Sequence, residues 1–258
     1  MLDTLEESFA ATEASVGPWS AGMMHGGPPS ALLVRACERV AGRPDLVALR
    51  ASVDFLRPVP VGVVHARARV VRPGRLVTLA EATLSAGDGE VLRVRTWLVR
   101  RPPPDAPATP DVGPDDDGVR APEDCPEVME GWDFGYAKAM EWRAAAGDPE
   151  GFGDAAAWAR ARVPLVEGEE PSGLQRAVLI ADSGNGISAA LDWNEWQFVN
   201  IDLDVHLSRP VDGDWLLLDA RSRYQPTGTG LATSTLRDRR GVVGAGAQTL
   251  VITPRPGG

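Results

Sequence analysis

The chain has 258 residues, of which 43% are hydrophobic and 24% charged, a composition typical of globular proteins and a length that suits two domains. The net charge of −10 disfavours a nucleic-acid partner, because binding phosphates requires a positive surface. The two cysteines are too few for a disulfide framework or a zinc site, and neither a signal-peptide pattern nor an apolar run of about 20 residues, as a membrane span needs, is present. We therefore expect a soluble, cytoplasmic protein.

One helix and several strands are predicted in the first hundred residues. Residues 7–19 indicate a strand followed by a turn. The segment from His25 to Ser30 precedes an almost uninterrupted apolar helical pattern over residues 31–40, which Gly42 ends. One helix followed by antiparallel strands indicates an α+β fold. The strands are predicted by alternating apolar residues that begin at Val47 and continue over 61–71, 75–85 and 91–100.

A stretch rich in Pro, Asp and Gly separates this part from a second one of the same kind. Residues 101–125 are unsuited to a sheet, so we expect an exposed linker between an N-terminal domain over 1–100 and a C-terminal domain over 126–258. A helix is predicted from Pro171 to Ile180, followed by a break at residues 184–186. Strands are predicted at 137–143, 155–162, 200–208, 215–222, 230–236 and 244–253.

The two parts carry similar motifs in the same order. The Arg-Pro pairs at Arg57 and Arg209 lie 152 residues apart, and Val91 and Val242, which follow later turns, lie 151 residues apart. A period this long indicates a duplicated domain, since solenoid units repeat every ~20–50 residues. Only one of the two copies then needs to keep the chemistry.

Polar residues occupy every second position of the predicted strand at residues 200–208. Because side chains alternate along a strand, every second residue shares a face, and the apolar residues between them are expected to pack on the helix. A solvated outer face is an equal interpretation of this pattern. No further His or Cys cluster accompanies it, so we expect no metal site. The polar residues are Asn200, Asp202, Asp204, His206 and Ser208.

Several short motifs of the second copy, in this order, resemble the double-hotdog acyl-CoA thioesterases of the thioesterase II branch. They are the Asn-x-Asp strand ending in Arg-Pro, the strand at 214–220, the turn at Gly228-x-Gly230 and the closing Gly-x-x-x-Gln strand. The resemblance implies a double hotdog, in which two antiparallel sheets each wrap around a long helix and pack as a pseudo-dimer. It also implies hydrolysis of an acyl-CoA thioester to free acid and CoA by an activated water, without a cofactor.

The resemblance also implies an active site in the second copy. In that family an Asp, a hydroxyl residue and a Gln position a water against the thioester. The Asp corresponds to Asp202 and the Gln to Gln248. The hydroxyl position is occupied by Arg223, with Ser222 one residue away and Thr227 in the following loop. A carboxylate can accept a proton from the water, and an amide can hold the water or polarise the carbonyl.

Two other segments are candidates for substrate binding. His25, Gly26 and Gly27 precede the first helix, where unpaired backbone N–H groups could receive a thioester oxygen; a tight turn with a capping histidine is an equal alternative. Trp193 and Trp196 could line an acyl tunnel or close the core.

Two other functions are consistent with the same fold. Arg223, in place of a hydroxyl residue, favours a non-catalytic acyl- or acyl-CoA-binding protein, in which Arg223 would contact the ligand. A hotdog hydratase or dehydratase would instead need a His with a carboxylate, either His206 with Asp204 or His25. Because exposed sheet edges often pair, we also expect a homodimer.

Overall fold

The computed structural model describes residues 4–87, 89–101, 107, 118–129 and 131–255. The first part contains helix α1 (Gly27–Ala41) and strands β1 (Thr4–Ala10), β2 (Leu46–Phe55), β3 (Val63–Arg72), β4 (Val77–Ala86) and β5 (Gly89–Arg100). The second part contains helices α2 (Gly135–Ala139), α3 (Gly173–Ala181) and α4 (Gly184–Ile187). Its strands are β6 (Glu127–Val128), β7 (Met140–Ala146), β8 (Ala155–Ala161), β9 (Trp196–Asn200), β10 (Asp202–Leu207), β11 (Leu216–Gln225), β12 (Thr229–Asp238) and β13 (Gly241–Pro254).

The thirteen strands of the described residues form one antiparallel sheet. Their order is β1-β3-β4-β5-β2-β10-β13-β12-β11-β8-β7-β6, and β9 also pairs with β13. The two parts meet where β2 pairs with β10, from Asp54 opposite Asp202 to Arg50 opposite His206. The α+β class is confirmed, but the expectation of two separate sheets is wrong, because this ladder joins them into one.

Helices α1 and α3 pack on the sheet and against each other. Helix α1 contacts β3, β4 and β5 of its own half, whereas α3 contacts β10 and β11 of its own half and also β2 of the first half. The two helices run antiparallel: Gly27 of α1 faces Leu179 near the end of α3, and Glu38 near the end of α1 accepts a hydrogen bond from Gln175 near the start of α3. The start of α1 and the end of α3 therefore lie side by side.

Helix α1 follows the predicted apolar pattern closely. Leu33, Val34 and Cys37 are fully buried, and Gly42 ends the helix with the left-handed φ of 59° that glycine adopts without strain. Strand β10 alternates as predicted: Leu203 and Val205 are buried. The sheet thus contributes its apolar face to the core around both helices.

Three predicted elements differ from the structure. The strand predicted at 137–143 begins only at Met140, because residues 135–139 form α2. The break predicted at 184–186 is a helical turn, α4. The strand predicted at 200–208 is divided into β9 and β10.

Much of the predicted linker, residues 102–106 and 108–117, lies outside the described residues. Its described end, residues 118–125, includes a short 3-10 turn over Pro122–Asp124. Within the described ranges, no helix is long and apolar enough to cross a bilayer.

Candidate active site

A cavity of about 570 Å³ lies where the start of α1 meets the end of α3. One wall is polar and combines residues from both halves of the chain. A second part of the lining is mostly aromatic. The polar wall includes His25, Asp182, Asn185 and Asn200, and the aromatic wall includes Trp19, Trp132, Phe134 and Trp193.

Three side chains of the polar wall form a connected cluster. Asp182, the C-cap residue of α3, is buried, and its Oδ2 lies 3.1 Å from Nδ1 of His25. Its other oxygen, Oδ1, accepts a hydrogen bond of 2.9 Å from Nδ2 of Asn200, at the end of β9. His25 comes from the first half of the chain, and Asp182 and Asn200 come from the second. The two halves thus build one cluster at their boundary.

His25 is held between aromatic and charged neighbours. Its ring stacks on the ring of Tyr136, with centroids 3.7 Å apart and planes inclined by 7°. The Tyr136 hydroxyl donates a hydrogen bond of 2.8 Å to the carbonyl of Leu179 and lies 3.1 Å from Oγ of Ser183. Burial raises the pKa of Tyr136, so the phenol stays protonated. The His25 ring is fixed in position by these contacts.

The protonation of His25 follows from its neighbours. Burial lowers its pKa below 6.5, although the charge of Asp182 acts in the opposite direction. At pH 7 the ring is therefore neutral. Nδ1 lies 3.1 Å from both the Asp182 carboxylate and the Gly27 N–H, and one ring nitrogen cannot donate and accept at once. We assign the proton to Nδ1, because a carboxylate is the stronger partner, and Nε2 is then the basic nitrogen.

The two glycines after His25 allow the halves to approach closely. A Cβ on Gly26 would lie 2.6 Å from Cε1 of Phe55 and 2.7 Å from Oδ2 of Asp182. A Cβ on Gly27 would collide with the carbonyl of Leu179 in α3. The absence of side chains at these two positions therefore allows the two halves of the chain to approach each other closely.

The start of α1 offers fewer backbone donors than expected. Pro28 and Pro29 have no N–H, the N–H of Gly27 points to His25 Nδ1, and that of Ser30 bonds to the Gly26 carbonyl. The Gly26 N–H has no acceptor among the described residues, and Gly26 lines the cavity. The N–H of Gly27 faces the protonated Nδ1 of His25, so the donor at this helix start that remains for a ligand is the Gly26 N–H.

Asp202 and Gln248 do not meet, and the expectation that they share a water is wrong. Asp202 accepts hydrogen bonds from the N–H and the hydroxyl of Thr249, at 2.6 and 3.0 Å. Gln248 precedes Thr249 on β13 and therefore points to the other face of the sheet, where it is buried. A carboxylate on one face and an amide on the other cannot hold one water.

Gln248 supports the polar wall from behind. Its Oε1 accepts a hydrogen bond of 3.0 Å from the N–H of Asn185, and its Nε2 donates one of 3.1 Å to the carbonyl of Asp182. Ser222 is buried and lies 2.8 Å from the hydroxyl of Ser188, which bonds to the carbonyl of Gly184. Both predicted residues therefore hold α4 and the end of α3 in place, and neither lines the cavity.

Other predicted residues lie away from the cluster. Thr227 bonds to Thr229 in the exposed turn between β11 and β12. Arg223 is exposed and forms a two-point ion pair with Asp154, at 2.6 and 2.9 Å, so it does not face the cavity. Trp193 lines the cavity, whereas Trp196 pairs in the sheet opposite Pro254 and does not.

The polar row predicted on residues 200–208 is divided by the irregularity between β9 and β10. His206 is exposed and lies opposite Arg50, and Asp204 forms an ion pair with Arg50 at 3.0 Å, so this pair lies outside the cavity. Asn200, by contrast, turns inward to Asp182.

Asp182 and Tyr136 were not predicted from the sequence as site residues. A signal for Asp182 was present, because it is the one carboxylate that directly follows the apolar pattern of the second helix. Tyr136 lies in a segment predicted as strand only from the next residue, and nothing in its local pattern distinguishes it. Among the described residues, no group of three or more His, Cys, Asp or Glu side chains is arranged to hold a metal.

The comparisons with known structures show what this chain is similar to. A protein of unknown function with a hot dog fold from Alicyclobacillus acidocaldarius is 14% identical, with a TM-score of 0.73 and coverage of 97% of this chain and 93% of that one. The acyl-CoA thioesterase II from Mycobacterium marinum is 15% identical, with a TM-score of 0.69 and coverage of 95% and 98%. At these identities the likeness shows the hotdog fold alone. None of the curated proteins compared with the chain matches it.

Two family models account for most of the sequence. The model of the acyl-CoA thioesterase N-terminal domain matches residues 15–99, and that of the acyl-CoA thioesterase C-terminal domain matches residues 122–252, which is 131 of the 258 residues. The chain therefore belongs to the acyl-CoA thioesterase family described by these two domains.

Proposed function

We propose that the protein hydrolyses an acyl-CoA thioester at the cluster of His25, Asp182 and Asn200. The observation that carries this proposal is the contact of 3.1 Å between His25 and Asp182 in the wall of the cavity of about 570 Å³. A neutral imidazole oriented by a carboxylate is a general base, and thioester hydrolysis needs a base for water. The family membership supplies the reaction class.

In this mechanism His25 takes a proton from water and Asp182 stabilises the imidazolium that forms. Asn200 orients the carboxylate of Asp182 through the bond to Oδ1. The hydroxide attacks the carbonyl carbon, and the bond between that carbon and the CoA sulfur then breaks. The proton passes from His25 to the departing sulfur, so that the products are a carboxylic acid and free CoA thiol.

The developing negative charge on the carbonyl oxygen needs a donor. Gly26 lines the cavity at the positive end of α1, and its N–H has no acceptor among the described residues. We assign the oxyanion contact to this N–H. No metal or organic cofactor takes part in this scheme.

Arg57 is the residue best placed to receive the phosphates of CoA. It is exposed, lines the cavity, and has no ion-pair partner among the described residues. Its counterpart in the repeat, Arg209, instead forms a buried ion pair with Asp238 at 2.5 and 2.8 Å. The duplicated Arg-Pro motif thus has a structural role in one copy and is available to a ligand in the other.

Hydration of an enoyl-CoA is a second candidate, because the pair of His25 and Asp182 is also the equipment of a hydratase. Hydration adds water to a carbon–carbon double bond and releases no thiol, whereas hydrolysis releases free CoA. The binding-only hypothesis rested on Arg223 in place of a hydroxyl residue. Arg223 pairs with Asp154 outside the cavity and so does not contact a ligand there, and binding of acyl-CoA without thiol release or hydration is the outcome that would favour this hypothesis.

The test measures thiol release from a panel of saturated acyl-CoAs and loss of enoyl absorbance from crotonyl-CoA. We expect thiol release, and we expect His25→Gln to lower kcat/KM at least about 100-fold, the contribution of a general base. The control is His65→Gln, since His65 is exposed on β3 and bonds only to Ser8. Enoyl hydration without thiol release would replace hydrolysis by hydration, and turnover unaffected by His25→Gln would contradict both.

The division into domains at residues 101–125, the pseudo-dimer arrangement of the two halves, the cytoplasmic location and the homodimer stay predictions from the sequence. For the first two, the duplication is supported by the separate matches of the two family models.

A further inference from the structure

Part of the cavity wall is built of aromatic rings from three separate segments. Trp19 comes from the loop before α1, Trp132 and Phe134 from the segment before α2, and Trp193 from the loop before β9. Rings brought together from distant parts of a chain form a surface that no single element would produce.

Trp193 is the centre of this surface, which we call the aromatic wall. Its ring stacks on Trp19, with centroids 4.9 Å apart and planes inclined by 29°. It meets Trp132 edge to face at 5.7 Å, and it meets Phe198 in the same way at 4.5 Å. The geometry is that of favourable aromatic pairs, so the rings hold one another in place.

The rings of the aromatic wall are not closed off in the core. Trp19, Trp132 and Trp193 are each partly exposed, and all three line the cavity, whereas Phe198 behind them is fully buried. Indole faces left open to a cavity are apolar surface that a ligand can cover, and a flat ring covers them best by stacking or edge-to-face contact.

The wall also lies close to the reacting groups. Trp193 contacts α4, where a Cβ on Gly186 would lie 4.0 Å from its ring, and α4 directly follows Asp182 and Ser183. An acyl group whose carbonyl lies at His25 would therefore extend toward the rings. In the proposed function, Arg57, which lines the same cavity, binds the phosphates of the CoA part of the substrate.

We infer that the acyl group of the substrate is aromatic, and that Trp193 is the residue that selects it. This inference rests on the proposed function for the place of the thioester carbonyl. The chemical class is an aryl or arylacetyl thioester of CoA, whose six-membered ring packs against Trp193 while the carbonyl carbon meets the water at His25.

A second cavity, of about 450 Å³, is an alternative binding site for the acyl group. It shares Met24 and Tyr136 with the first and is lined mainly by aliphatic residues such as Leu32, Leu165 and Val163. Aliphatic walls suit a linear chain, so a linear acyl-CoA would use this second cavity and not the aromatic wall. The two cavities therefore predict different substrates, which an experiment can separate.

The experiment measures the affinity of CoA thioethers that cannot be hydrolysed, by quenching of tryptophan fluorescence. The ligands are S-phenacyl-CoA, its cyclohexyl analogue of matched ring size, and a linear 2-oxoheptyl-CoA. We expect the phenacyl compound to bind about tenfold more tightly than the cyclohexyl one, since one aromatic pair contributes up to about a factor of ten beyond its buried area. Trp193→Leu should remove this preference, and Trp193→Phe should keep most of it.

The control is Val163→Trp, which adds a large side chain at an exposed position in the lining of the second cavity and should leave phenacyl binding unchanged. Equal affinity for the phenacyl and cyclohexyl ligands would overturn the inference while leaving hydrolysis intact. The same holds if the linear ligand binds most tightly and Val163→Trp weakens its binding. Aryl preference without any thiol release from benzoyl-CoA or phenylacetyl-CoA would keep the inference and overturn the proposed function.

Discussion

A single methyl group added at Gly26 should disable the site. In Gly26→Ala the new Cβ would lie 2.6 Å from Cε1 of Phe55 and 2.7 Å from Oδ2 of Asp182, whereas ordinary contact begins near 3.4 Å. The ring and the carboxylate must each retreat by about 0.7 to 0.8 Å. A misplacement of about 1 Å typically costs about 100-fold in rate, so we expect kcat/KM for acyl-CoA hydrolysis to fall by about that factor.

The matched control is Gly22→Ala, in the same loop. The nearest atom to a Cβ at Gly22 is Oγ of Ser20 at 3.9 Å, so the methyl group fits without any shift. Thiol release measured on both variants, with the free energy of unfolding from urea titration, separates lost geometry from lost folding. We expect Gly26→Ala to lose about 1–3 kcal/mol of stability through overpacking and to remain folded. Activity of Gly26→Ala within threefold of the unaltered protein would refute the placement of Asp182 against the start of α1.

Three further outcomes follow from the structure. Burial lowers the pKa of His25 from 6.5, so kcat/KM should be constant at neutral pH and fall only as pH drops through this lowered pKa. Stability should already decrease as pH falls below 6.5, because the unfolded chain binds the proton before the buried ring does. Gln248→Ala should cost about 1–3 kcal/mol in urea unfolding, because the buried N–H of Asn185 loses its acceptor. Burial raises the pKa of Cys37 to about 12, so iodoacetamide should leave this thiol unmodified at pH 8 until the protein unfolds, as mass spectrometry would show.

The main elements of the fold were predictable because their signals are local. The apolar stripe and Gly42 define α1, and alternating residues define most strands. The joining of the halves into one sheet was not predictable, because the pairing of β2 with β10 links residues about 150 positions apart, and neither strand carries a signal for its partner. Helix α2 was missed because its five residues are too few to show a helical period.

The site was only partly predictable for a specific geometric reason. Strands β9 and β10 both pair with β13, but in different registers. Asn200 of β9 lies opposite Leu250, and Asp204 of β10 lies opposite Ala247, so β9 is shifted by one residue relative to β10. This bulge turns Asn200 toward the helices and leaves Asp202 on the outer face. An alternation carried through residues 200–208 places both on one face, and the sequence contains no Gly or Pro there to mark the change.

The pairing of His25 with Asp182 is also a tertiary event. One residue precedes the first helix and the other ends the second, and only the antiparallel packing of α1 on α3 brings them within 3.1 Å. The motif from His25 to Gly27 could be recognised as a place of close approach, but its partner could not be named from one sequence.

The most direct test of the account compares a carboxylate at the end of helix α3 with one on the outer face of the sheet. Asp182→Asn removes the partner of His25, and Asp202→Asn alters only the bonds to Thr249. We predict that Asp182→Asn lowers kcat/KM for thiol release at least about 100-fold, and that Asp202→Asn leaves it within about threefold. The reverse result, with activity lost in Asp202→Asn and kept in Asp182→Asn, would contradict the assignment of catalysis to the boundary between the two helices.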